Sequence, residues 1–121
     1  MAIYRLVNQT RNCDLAARLR VADTWLTRGL GLIVCSGLAD GEGLWLPRTA
    51  SIHTIGMRFS VDVVFVDAKL NCVGIKNQLG PWRIALGPAG ASATIELRSG
   101  QLTKTRVNIG DQLALIPVKD E

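Results

Sequence analysis

A single histidine, His53, lies nine residues before Asp62 in the stretch SIHTIGMRFSVDVVFVD, Ser51 to Asp67. A carboxylate hydrogen-bonded to an imidazole can hold its tautomer and stabilise its charged form, which is the arrangement of a general base. Thr54 or Cys35 could then serve as a nucleophile or a polar contact. If Gly56 to Phe59 form a four-residue turn, Ile55 faces Ser60 and His53 faces Asp62 across an antiparallel ladder. Opposed Cβ atoms there lie about 4.5–5.5 Å apart. The alternative for the same pair is a satisfied core contact that sets hairpin register, and a one-residue slip destroys either. Arg58 or the amides of the turn are other partners for Asp62.

The run that carries Asp62 is apolar on both faces: Val61, Val63 and Phe65 alternate with Asp62, Val64 and Val66. That pattern predicts an interior strand covered on both sides, with Asp62 buried. An ion there without donors would cost several kcal/mol, so hydrogen bonds to it are expected. No GxSxG elbow or HExxH motif accompanies the pair. One histidine and three dispersed cysteines, Cys13, Cys35 and Cys72, form no metal-ligand spacing, so no metal and no cofactor are expected.

A second constellation is aromatic and basic. LWLPR and GPWR each set a tryptophan beside an arginine near proline, Trp45 with Arg48 and Trp82 with Arg83. Stacking and forked hydrogen bonds suit such pairs to an apolar or anionic group. Trp45 is expected in the core, whereas Trp82 sits in a long loop, where binding groups gather. Met57 beside Gly56 is either a loop-tip contact or a cover for the turn. Glu96, between Ile95 and Leu97 with Thr94 and Arg98 on its side, is read as facing solvent or lining a cleft. Gly110 and Asp111 read as the turn that starts the last strand.

These groups must be positioned by β structure. Ile3 to Asn8 and Leu15 to Val21 flank the turn-rich NQTRNCD as an opening hairpin. Leu44–Leu46, Ser51–Ile55, Val61–Val66, Cys72–Ile75, Ala93–Leu97 and Gln112–Ile116 follow as short apolar runs between Gly, Asp and Asn turns. One short helix is expected near residues 24–34, weakened by Gly29 and Gly31. The 121 residues bound a single domain, 1–121, and 48% hydrophobic against 20% charged residues suffices for a core. The fold expected is mainly β, a single compact antiparallel sandwich or barrel-like domain.

The succession TRGLGL, DGEGLWL, IHTIGMRFSVDVVFVD, TIELRSG and NIGDQL, from about Leu15 to Ile116, resembles the family called domain of unknown function 192. The resemblance implies a compact, mainly β single domain, with secretion signals on some members, and brings no agreed activity. Many members carry a tryptophan-methionine-lysine-asparagine-threonine-like string where this chain has Ser51, Ile52, His53 and Thr54. A histidine stands here where many relatives have lysine or asparagine, so a histidine-centred chemistry belongs to this branch alone.

The net charge of +4 is dispersed along the chain and forms no basic run, which argues against nucleic acid. No apolar segment has membrane-spanning or secretory length, so a cytoplasmic protein without a membrane partner is expected. The leading function is a binding module for a small molecule or a protein segment. Its cleft would lie near His53 and the 80–92 loop, edged by Thr54, Met57, Arg58, Trp82 and Arg83. The alternatives are a hydrolytic enzyme using His53 and Asp62, and a structural or interaction domain without a pocket.

Overall fold

In the computed structural model, which describes residues 3–21 and 38–118, nine strands and one helical turn build the domain. They run β1 Ile3–Asn8, β2 Cys13–Val21, β3 Glu42–Leu46, β4 Ser51–His53, β5 Val61–Val66, β6 Cys72–Leu79, β7 Ile84–Leu86, β8 Ala93–Arg98, α1 Gln101–Lys104 and β9 Leu113–Pro117. The helix expected near 24–34 lies outside the described residues. Seven strands form one sheet in the order β6-β5-β8-β3-β2-β1-β9, and β4 pairs with β7 in a separate ribbon. The sheet curls into a half-barrel.

The opening hairpin forms as its turn residues predict, with Asn8 opposite Cys13. One pairing departs from the antiparallel expectation: β3 lies parallel to β2, Leu19 opposite Gly43. Parallel neighbours need a long connection between them, and residues 22–41 supply the length. The sheet's two edges meet where β6 and β9 begin. There Cys72 N donates to Asp111 O at 2.8 Å, Gly110 N to Cys72 O at 2.7 Å and Leu113 N to Leu70 O at 2.9 Å.

Both faces of the sheet are covered. Inside the curl, Leu6, Leu15, Leu19, Val64, Ile95, Leu97 and Leu113 form the main core, joined by Leu102 of α1. On the other face Leu44, Leu46, Val61, Val63 and Phe65 pack beneath Ile52 of β4 and Ala85 of β7. The ribbon is thus a lid on the outer face, and the two-sided burial predicted for β5 follows: all six of its residues are buried.

Gly43 marks the tightest crossing. A Cβ there would lie 2.7 Å from Glu96 O and 2.8 Å from both Leu19 Cδ1 and Leu97 Cδ2. Backbone on one side and packed leucines on the other leave no room to yield. Gly43→Ala is expected to destabilise the fold by about 2–3 kcal/mol, the cost of overpacking a rigid core, read as a lowered urea midpoint with an unchanged slope.

Candidate functional site

Asp62 is fully buried in β5 and points into the curl. Its carboxylate accepts three backbone N–H groups: Gln78 at 2.8 Å on Oδ1, with Gly100 at 3.0 Å and Leu102 at 2.9 Å on Oδ2. Local geometry delivers each donor. The β5–β6 register shifts between Val61 and Val63, and Gln78 at that irregularity takes φ 52°, which turns its amide inward. Gly100 takes φ 93° and starts α1, whose first amides then lack helical partners. Asp62 supplies those partners. The expectation of hydrogen bonds to this carboxylate is met by main chain from three places.

His53 does not face Asp62. Residues 51–53 pair with β7, setting His53 opposite Ile84, while Asp62 stands opposite Leu97 on β8. The expected turn does not join them as a hairpin, because β4 leaves the main sheet and β8 takes the place beside β5. Ile52 is buried against the outer core and His53 is exposed, so His53 and Asp62 lie on opposite sides of the sheet.

Thr54 is buried and fully engaged. Its hydroxyl donates to Gly80 O at 2.6 Å and accepts from Arg83 N at 2.9 Å. Its amide donates to Arg83 O at 2.8 Å, and its carbonyl accepts from Trp82 N at 3.0 Å and Met57 N at 3.1 Å. Thr54 therefore fastens the 80–83 turn to the turn after β4, and its one hydroxyl proton is committed to a main-chain carbonyl rather than to a base. Met57 is buried in the outer core rather than at a loop tip. Cys35 lies outside the described residues. Burial pushes the Cys72 thiol up to about 11, which removes it as a nucleophile near neutral pH.

Around these anchors the outer side of the ribbon is apolar and exposed. Ile52 and Ala85 point inward, so Ser51, His53, Ile84 and Leu86 point outward. Trp82, Ile84 and Leu86 are 69%, 68% and 73% exposed. Trp82 has φ 60° and follows Pro81, the arrangement of a type II turn whose third position favours glycine. Arg48 shortly before β4, Arg58 shortly after it and Arg83 beside Trp82 are all exposed. The expected cleft is replaced here by a raised ribbon. Two hollows of about 350 and 370 Å³ lie elsewhere, one beside Phe59 and Arg98, the other beside Asp14 and Lys104. Trp45 is half-buried against the main core, as expected of it.

Glu96 departs from its reading as a solvated or cleft-lining residue. It is 5% exposed, in β8 between Leu44 of β3 and Val63 of β5, on the outer-core face. Burial pushes its carboxyl up to about 7, with no hydrogen bond or charge among the described residues to oppose the rise. Among the described residues no three His, Cys, Asp or Glu side chains converge as metal ligands.

The model of the DUF192 family, described as "Uncharacterized ACR, COG1430", matches residues 6–115. The chain belongs to this family. It is 32% identical over 111 residues to a UPF0127 protein of Pyrococcus horikoshii, covering 89% of this chain and 96% of that one. A UPF0127 protein of Thermococcus sibiricus is 31% identical over 112 residues, covering 89% and 72%. The fold is shared with a Sinorhizobium meliloti protein named a candidate transcription regulator, at TM-score 0.80 and 20% identity, over 94% of this chain and 92% of that one. At that identity the likeness speaks for the fold alone. No helix among the described residues of this DUF192 domain is long and apolar enough to cross a membrane.

Two outcomes test this account of the buried carboxylates. Asp62→Ala strands one buried and two partly buried amides, each costing about 1–3 kcal/mol when unsatisfied, and is expected to lose about 3–4 kcal/mol in urea unfolding; exposed His53→Ala stays within about 0.5 kcal/mol. Glu96 acts through pH. Its folded value stands above its ordinary 4.5, so the folded state holds the proton longer. Its stabilising contribution is complete below pH 4.5 and is lost as pH rises through about 7, by roughly 3 kcal/mol at most. Asp67 and Asp111, both held below the usual carboxylate range, lose their contribution only in more acid solution. Wild type should therefore weaken between pH 5 and pH 8 in thermal unfolding, and Glu96→Gln should flatten that slope.

Proposed function

We propose that the domain is a protein-interaction module that holds an extended partner segment, apolar residues alternating with acidic ones, against the outer face of the β4–β7 ribbon. The observation that carries this reading is the row Trp82, Ile84 and Leu86, three large apolar side chains about two-thirds or more exposed on a ribbon that already buries its inner face. Scattered exposed leucines are ordinary, but a contiguous row is a contact surface. Trp82 supports it further, because a non-glycine residue held in the left-handed region costs of order 1–3 kcal/mol, and here the strain displays an indole to solvent.

Backbone geometry favours an extended occupant. Gly87 N donates to Ala50 O and Thr54 N to Arg83 O, so by antiparallel alternation the main-chain groups of Ile84 and Leu86 point to the open edge of β7. A strand added there would lay alternate side chains on Trp82, Ile84 and Leu86, as in β-augmentation. Arg48, Arg58 and Arg83 have no carboxylate partner among the described residues, which favours acidic residues between the apolar ones. The hydrolytic reading is weaker, since among the described residues no carboxylate pairs with His53. We place the module in the cytoplasm, as the free thiols Cys13 and Cys72 suit a reducing compartment.

The test is an NMR titration with a ten-residue peptide alternating valine and glutamate, beside its valine–lysine counterpart. The acidic peptide should shift resonances of residues 51–53 and 82–86, and the lysine peptide should bind at least tenfold more weakly. Trp82→Gly relieves the turn, so it should keep or slightly raise stability while losing at least tenfold in affinity. Equal binding of both peptides, undiminished binding by the variant, or silence at millimolar peptide would overturn the proposal. So would a dimer that Trp82→Gly dissolves, since the occupant would then be a second copy.

A further inference from the structure

The hollow of about 350 Å³ at the far end of β8 is lined by Leu38, Phe59, Ser60, Arg98 and Ser99. Leu38 and Phe59 supply an apolar part of its wall, and Ser60, Ser99 and Arg98 supply polar groups able to fix a ligand's orientation. Arg98 is the charged member. Its one carboxylate neighbour among the described residues, Asp40, stands 4.0 Å from Nη1 and is held closer by Lys104 Nζ at 3.2 Å. A guanidinium carries five donors in a planar fork matched to a carboxylate, and here that fork is left largely to whatever enters the hollow.

A second observation comes from the strand beneath. Glu96 and Arg98 are two residues apart on β8 and so share a face, about 7 Å apart along the strand. Glu96 is 5% exposed and has no hydrogen-bonding partner among the described residues. No ion pair joins Glu96 to Arg98 among the described residues, so the strand's own carboxyl does not occupy the guanidinium.

We infer that the hollow binds a small carboxylate with an apolar body, its carboxylate forked by Arg98, its body against Phe59 and Leu38, and the Ser60 and Ser99 hydroxyls beside its oxygens. A cation is disfavoured by Arg98, and a bulky polyanion by the size of the space. This site is separate from the ribbon face: it uses none of Trp82, Ile84 and Leu86.

Phenylacetate is a suitable probe, with neutral phenylacetamide as its control. In an NMR titration of the intact protein, phenylacetate should shift the resonances of Phe59, Ser60, Arg98 and Ser99, and phenylacetamide should bind at least tenfold more weakly. Arg98→Gln should lose at least tenfold in affinity. Arg98→Lys, which keeps the charge without the fork, should retain part of it, and Trp82→Gly should bind as wild type. Equal binding of acid and amide, full binding by Arg98→Gln, or no shift at these four residues at millimolar probe would overturn the inference, while the ribbon proposal would stand or fall by its own peptide.

Discussion

A buried carboxylate held by three main-chain amides organises this domain. Asp62 sits in β5, the strand second from the sheet's edge, and collects donors from the irregularity in β6 and from the start of α1. Without that acceptor the amide of Gln78 and the first amides of the helical turn would be unpaired at wholly or partly buried positions, each a loss comparable to a hydrogen bond. Because the donors are main chain, the carboxylate fixes backbone rather than side chains. It secures where β6 bends, where β8 ends, and how Leu102 enters the main core.

Thr54 does the corresponding work on the outer face at smaller scale. It gathers the turn after β4 and the 80–83 turn through its hydroxyl, amide and carbonyl. The two three-residue strands are too short to hold themselves in register, so the hub and the burial of Ile52 and Ala85 do so. The consequence is exposure: with the inner side chains committed, Trp82, Ile84 and Leu86 have nowhere to go but outward.

The longer strands could be read from the chain because their signals are local. NQTRNCD announces a hairpin, VDVVFV announces an interior strand, and Gly110 with Asp111 announces a turn, where Asp111 indeed accepts from Asn108 N at 2.8 Å. The site was harder because its determinants are distant. Asp62 takes its donors from 16, 38 and 40 residues away, so the chain's one histidine, although only nine residues off, is not its partner. IAL in β7 is too brief to stand out between Trp82 and Gly87, and α1 is one turn whose cap lies in another strand. The alternation within TIELR gives Glu96 the look of a half-solvated position; only the ribbon over that face makes it a buried one. Trp82 carried the one readable signal of its turn, a proline just before it.

Asp62 and Glu96 show how one residue class takes opposite fates in one sheet. Both stand in interior strands and both are almost wholly buried. Asp62 faces the curl, where a bent strand and a helix start bring amides to it. Glu96 faces the outer layer, where its neighbours on β3 and β5 are Leu44 and Val63 and nothing among the described residues donates. The carboxylate on the curl side thus fixes backbone, while Glu96 on the outer side stands among apolar neighbours without a donor among the described residues.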